Sequence, residues 1–181
     1  MDDRLISLIL TAVTFATAFN LFLLLRILRV VHPVEEPLVP LVGKAVPRFT
    51  GRRSADGGPI AWADLAGRPA VLVFLSSGCP DCRSRIPDLA AILPGAAKAG
   101  IAFWIVAADD AHDIAPLVGD TPLAEHTMTM DPTAREALNP FGATPLYIFI
   151  DEATIVQAGN HLGDEDWNVF LEEMRAFAAD A

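Results

Sequence analysis

Ser76-Ser77-Gly78-Cys79-Pro80-Asp81-Cys82-Arg83 is the stretch whose reading decides the fold. The apolar run Pro69 to Leu75 leads into it, and Ser84 to Ala97 follows with helical spacing. The chain's only two cysteines lie here, two residues apart. At the start of a helix they can close a small disulfide ring. There the first thiol meets the unsatisfied N–H groups and the positive end of the helix dipole, both of which favour a thiolate. A strand, a Cys-x-x-Cys turn and a helix together read as a dithiol redox site. The alternative is a structural disulfide, but a loop of two residues constrains little unfolded chain. Cys79, nearer the helix end and solvent, is the expected nucleophile, with Cys82 resolving.

The 181 residues make room for one globular domain plus an appendage. Residues 1–31 carry a net charge of +1. The rest holds 10 Lys/Arg against 21 Asp/Glu, a net of −11. This excludes nucleic acid as an expected partner, because a phosphate backbone needs a basic face. The acidic balance reads as a solvated surface. Two cysteines cannot build a disulfide framework or, alone, a tetrahedral zinc site. The four histidines (His32, His112, His126, His161) are scattered, and no resident metal or cofactor is expected.

Leu5 to Leu25 is 21 residues without a charge, long enough to span a bilayer as a helix. A cleavable leader would end at a small-x-small site. This run ends in Leu23-Leu24-Leu25-Arg26-Ile27-Leu28-Arg29, so an uncleaved anchor over residues 1–31 is favoured, touching lipid through 5–25. By the positive-inside rule Arg26 and Arg29 lean weakly towards a cytoplasmic domain. Residues 32–42, with three prolines, read as a linker, and the folded domain is expected over 43–181.

Within that domain, Gly43 to Thr50 reads as a loop and short edge strand, and Ala70 to Leu75 as a buried strand. Ile86, Leu89, Ala90 and Leu93 stripe the helix after the cysteines, which Pro87 should bend. Ile101 to Ala107 reads as a strand covered on both faces, parallel to the first through a helical crossover. A short helix follows over Asp113 to Val118, then a short strand over Glu125 to Met130 and a helix capped by Asp131 with Pro132 in its first turn. Leu146 to Ile150 and Thr154 to Ala158 form a hairpin pattern. The last helix, Asp164 to Ala179, aligns Trp167, Phe170, Leu171, Met174 and Phe177 on one face.

Gly43-x-x-Val46-Pro47-x-Phe49, Asp64-Leu65-x-Gly67-Arg68-Pro69, the strand into Cys79-Pro80-Asp81-Cys82, Pro87, and the later Asp131 with Phe141-Gly142-Ala143-Thr144-Pro145 and Phe149-Ile150-Asp151 occur in one order. The set resembles the membrane-anchored thioredoxin family that includes TlpA and ResA, over about residues 43–178. Phe74 to Pro80 is more closely similar to the methylamine-utilisation maturation proteins of the MauD type. The resemblance implies a thioredoxin-like α/β fold, a central mixed sheet flanked by helices, with one N-terminal transmembrane helix. It also implies thiol–disulfide exchange through a Cys79–Cys82 redox disulfide with protein thiol or disulfide substrates and a recycling partner. The domain would face the periplasm from a bacterial inner membrane. Thr144–Pro145 is expected to be cis and to lie beside Cys79, and Pro80 and Asp81 to tune the thiolate. The chain departs from the pattern at Gly78, where relatives often carry Trp, at Arg85, where many carry Glu, and at Val73, where thioredoxin keeps a buried Asp. With no acid to take the Cys82 proton, Arg85 is expected to favour a Cys82 thiolate and a pair less reducing than thioredoxin.

Two further chemistries compete. Two thiols can hold Cu(I) as soft ligands, with His126, Met128 and Met130 as an alternating row of candidate donors, which gives a copper-handling assembly factor. A peroxidase is a weaker fit, because Ser76 stands where peroxiredoxins carry the threonine of Thr-x-x-Cys.

Overall fold

The computed structural model describes residues 13–23, 41–108 and 111–179, the side chains of 111–113 excepted. It divides into two compact units, residues 1–37 and 38–181. In the first unit, residues 13–23 form a helix, α1, whose side chains are all exposed. Among the described residues no helix is long and apolar enough to cross a membrane. The rest of the apolar run, and the linker from 32 to 40, lie outside the described residues.

The second unit is built on Ala70–Leu75 (β3), whose six residues are all buried. A strand buried on both faces needs a paired strand on each edge and a packed layer above and below. Ala102–Ala107 (β4) lies parallel to it, with Ala70 opposite Ala102 and Leu75 opposite Ala107. Leu146–Asp151 (β6) lies antiparallel on its other edge. Outward from β4 come Thr127–Met130 (β5, parallel), Thr50–Arg53 (β1) and Pro59–Ala61 (β2), both antiparallel; outward from β6 comes Thr154–Gly159 (β7). The sheet order is β2-β1-β5-β4-β3-β6-β7. The expected edge strand is therefore interior: Thr50 starts a strand held between β2 and β5. A short 3-10 turn, Pro122–His126, takes Glu125 and His126 out of the expected strand.

Strand alternation separates the core into two layers. Val71, Val73 and Leu75 pack with Pro80–Lys98 (α2), Ala111–Val118 (α3) and Glu165–Ala179 (α5). Ala70, Leu72 and Phe74 pack on the other face with Leu41, Val46, Phe49 and Pro132–Leu138 (α4). The α2 helix is the crossover from β3 to β4 and runs unbroken through Pro87 and Pro94. Its buried stripe, which also takes in Cys82 and Ile92, is held against the sheet and α5 on both sides of Pro87. Gly95 is where α2 and α5 touch: a Cβ there would run into the Met174 carbonyl. On α5 the stripe ends at Met174; Phe177 is 47% exposed, because the helix outruns the core it covers.

Candidate active site

The turn after β3 is closed by backbone and hydroxyl bonds. Gly78 N–H donates to Ser76 Oγ at 3.2 Å, and Cys79 N–H to the Ser76 carbonyl at 3.2 Å. Cys79 then becomes the N-cap of α2, with extended backbone (φ −94°, ψ 112°) and Pro80 following as the first helical residue. Its sulfur accepts the Cys82 N–H at 3.2 Å, so a thiol side chain does what a Ser or Asp oxygen does at an ordinary cap. That N–H, one of the unsatisfied donors at a helix start, is aimed at any negative charge on Sγ. Asp81 is exposed in the first turn, and its carbonyl accepts from Ser84 Oγ at 2.8 Å.

The two thiols differ in access. Cys79 is half-buried and Cys82 fully buried, and both are free. Burial, first, and then the adjacent Cys79 sulfur push the Cys82 thiol up to about 12, against weaker opposing hydrogen bonds from the Ser76 backbone and the Thr144 side chain.

The second wall of the site comes from the turn between α4 and β6. The Thr144–Pro145 peptide is cis, and the Cys79 thiol donates to the Thr144 carbonyl at 3.4 Å. This turn is held from below by Asn139, 6% exposed. Asn139 Nδ2 donates to the Ala143 carbonyl and Ala143 N–H donates to Asn139 Oδ1, both at 2.8 Å. A buried amide that left these atoms unpaired would cost about 1–3 kcal/mol, so Asn139 and Ala143 hold each other.

Arg85, expected to act on Cys82, has other neighbours as well. Its guanidinium lies 3.9 Å from Asp88 and packs over Gly163, where a Cβ would stand 2.9 Å from Nη2. Half-exposed, the guanidinium has an acid partner and the α5 entry loop beside it. The candidate copper donors are not assembled either. His126 sits on the 3-10 turn with Nδ1 3.2 Å from the Phe103 carbonyl. Met128 and Met130 belong to the core layer on the opposite face of the sheet from the cysteines. Among the described residues no three His, Cys, Asp or Glu side chains gather as a metal site. Asp109 and Asp110 lie outside the described residues, as does the His112 side chain.

Two residues that sequence reasoning missed stand close to the site. Asn139 was signalled by Asn139-Pro140-Phe141-Gly142, a turn dipeptide pair of the kind that caps its own backbone. Tyr147 is the other. It lies opposite Val73 on the neighbouring strand, fully buried, and its hydroxyl donates to the Asp164 carboxylate at 2.9 Å. Burial and then the Asp164 acceptor raise the phenol above its ordinary value. Asp164 also accepts the Trp167 N–H at 2.8 Å as the cap of α5. A buried phenol thus lies beside Val73, and it keeps its proton, which is directed at the Asp164 carboxylate.

Residues 42–158 match the AhpC/TSA family. The chain belongs to that family. No curated protein matches it. Among solved structures it is similar to a putative thiol:disulfide interchange protein DsbE from Chlorobium tepidum (18% identity, TM-score 0.61, covering 76% of this chain and 97% of that one). It is also similar to the thioredoxin domain of a thiol-disulfide oxidoreductase from Bacteroides vulgatus (20% identity, TM-score 0.60, 72% and 96% covered). A third is a secreted Mycobacterium tuberculosis disulfide oxidoreductase homologous to E. coli DsbE (22% identity, TM-score 0.52, 74% and 96% covered). The fold of residues 38–181 is therefore thioredoxin-like: a mixed central sheet with helices on both faces.

Proposed function

We propose that this AhpC/TSA-family chain is a membrane-tethered thiol–disulfide oxidoreductase that exchanges disulfides with protein partners through Cys79-Pro80-Asp81-Cys82. The observation that carries the reading is the pair's asymmetry. One sulfur caps a helix, half-exposed and within 3.2 Å of a helix N–H, and the other is buried directly behind it. Cys79 as thiolate attacks one sulfur of a substrate disulfide. A Cys79–substrate bond forms, the substrate bond breaks, and the other substrate sulfur leaves and takes up a proton. Cys82 then loses its proton to solvent and attacks Cys79 Sγ, which closes the Cys79–Cys82 disulfide and releases the second substrate thiol. A dithiol partner returns the pair to the reduced state; run backwards, the same steps oxidise a substrate.

The membrane tether rests on the 21 uncharged residues from Leu5 to Leu25. An extracytoplasmic domain is supported by where protein disulfides form and by the resemblance of Phe74 to Pro80 to maturation proteins of the MauD type. Arg26 and Arg29 can snorkel to an interface on either side.

A Cys82→Ser chain should accumulate mixed disulfides between Cys79 and protein partners, released by dithiothreitol, while Cys79→Ser should not. Trapping through Cys82, or through neither cysteine, would overturn the assignment. Stoichiometric Cu(I) binding by a reduced protein that reduces no insulin disulfide would replace exchange with copper handling.

A further inference from the structure

We infer that Phe141 is a specificity residue of this site, an aromatic contact that selects polypeptide disulfides carrying an apolar side chain within a few residues of the reactive cysteine. The inference rests on the exchange reading and adds a substrate class to it.

Phe141 is 51% exposed. The other large apolar side chains exposed among the described residues of this unit are Val42, Val156, Val169 and Phe177. None of them belongs to the two segments that meet at Cys79. Phe141 does: it is three residues before Thr144, whose carbonyl lies 3.4 Å from Cys79 Sγ. Three peptide units span at most about 11 Å between Cα atoms, the reach of about three residues of extended substrate. A peptide linked to Cys79 that runs along this turn can therefore reach the Phe141 ring within about three residues.

The ring is also held outwards. Asn139 spends both amide atoms on the Ala143 backbone, and Gly142 N–H donates to the Asn139 carbonyl at 3.1 Å. Gly142 turns the chain at φ +60°, with open space where a Cβ would stand. Phe141 is thus the tip of a loop clamped at its base by a buried side chain, and the loop need not be ordered when substrate arrives. Covering half an aromatic ring with an apolar side chain removes enough surface from water to be felt as roughly a tenfold preference.

The test compares two disulfide-linked peptides differing only in Leu or Ser two residues from the cysteine, with hydroxyethyl disulfide as a small substrate. The full chain in detergent is assayed as wild type, Phe141→Ala and Phe141→Leu. In wild type, kcat/KM for the Leu peptide should exceed that for the Ser peptide about tenfold. The ratio should fall to about one in Phe141→Ala and return in large part in Phe141→Leu. A wild-type ratio near one, or a ratio that survives Phe141→Ala, overturns the inference while hydroxyethyl disulfide turnover leaves the exchange reading standing. Wild type that turns over none of the three removes the exchange reading and the inference with it.

Discussion

At the scale of single residues, burial decides the division of labour between two chemically identical thiols. Cys82 is fully buried and its thiol is pushed up to about 12. Burial thus keeps Cys82 a thiol at pH 8, and thiolates are what alkylate. Iodoacetamide at that pH should modify Cys79 in the reduced protein and leave Cys82 unmodified until the chain is denatured, as peptide mass mapping would read. Equal labelling of both would contradict the burial. The position of Arg85 makes a second prediction. Because its guanidinium is engaged with Asp88 and the Gly163 loop, Arg85→Glu should leave the redox midpoint of the pair within about 10 mV of wild type in a glutathione titration. A change of 30 mV, a tenfold change in the exchange equilibrium, would restore Arg85 to the site.

At the scale of elements, the helix starts carry the weight. Cys79 caps α2, Asp131 caps α4 and Asp164 caps α5, each from a side chain that also binds something else. Asp131 accepts Ala134 N–H within α4 and Thr50 N–H from β1, both at 3.0 Å, so the same carboxylate starts a helix and ties it to the sheet. Those two backbone donors, in that order, hold its carboxyl below the ordinary 3.8. A depressed carboxylate contributes stability that is present above the unfolded value and lost as pH falls through the folded one. Asp131→Ala should therefore cost roughly 1–2 kcal/mol at pH 7, a fall in Tm of about 2–8 °C. The gap to wild type should narrow as the pH is taken below 3.8. A gap that stays constant down to pH 2 would mean the carboxylate charge contributes nothing.

At the scale of the whole molecule, the chain divides its charge as it divides its fold. The first 31 residues carry a net +1 around an uncharged run of 21 residues, and the remainder a net −11. The two compact units part at residue 37. The full chain should sediment with membranes and resist carbonate extraction, while residues 38–181 alone should stay soluble and keep insulin-reducing activity. Alkaline phosphatase fused after Ala181 should be active if the domain lies outside the cytoplasm. An inactive fusion beside an active cytoplasmic reporter would put it inside, as the arginine count by itself suggests.

What local chemistry dictates could be read along the chain. Ala70–Leu75 has no polar residue to turn outwards, so it had to be a central strand. Cys79-Pro80 before an apolar helical stripe had to start a helix, and Asp131-Pro132 likewise, because each needs only its neighbours to satisfy the first free N–H groups. The candidate site was legible to the same extent: two cysteines one turn apart, and a resemblance that put Thr144–Pro145 beside them, 65 residues away. Whatever depended on distant packing was not. Nothing in the sequence says that Thr50 would lie between two strands, that Met128 and Met130 would face away from the cysteines, or that Arg85 would reach the Gly163 loop. Nor did it say that Asn139 would clamp the turn carrying Phe141, or that Tyr147 would stand beside Val73 with its hydroxyl donating to Asp164. A side chain's neighbours in sequence set its backbone, but its burial and hydrogen-bond partners are set by which elements pack around it, and those contacts exist only once the sheet has closed.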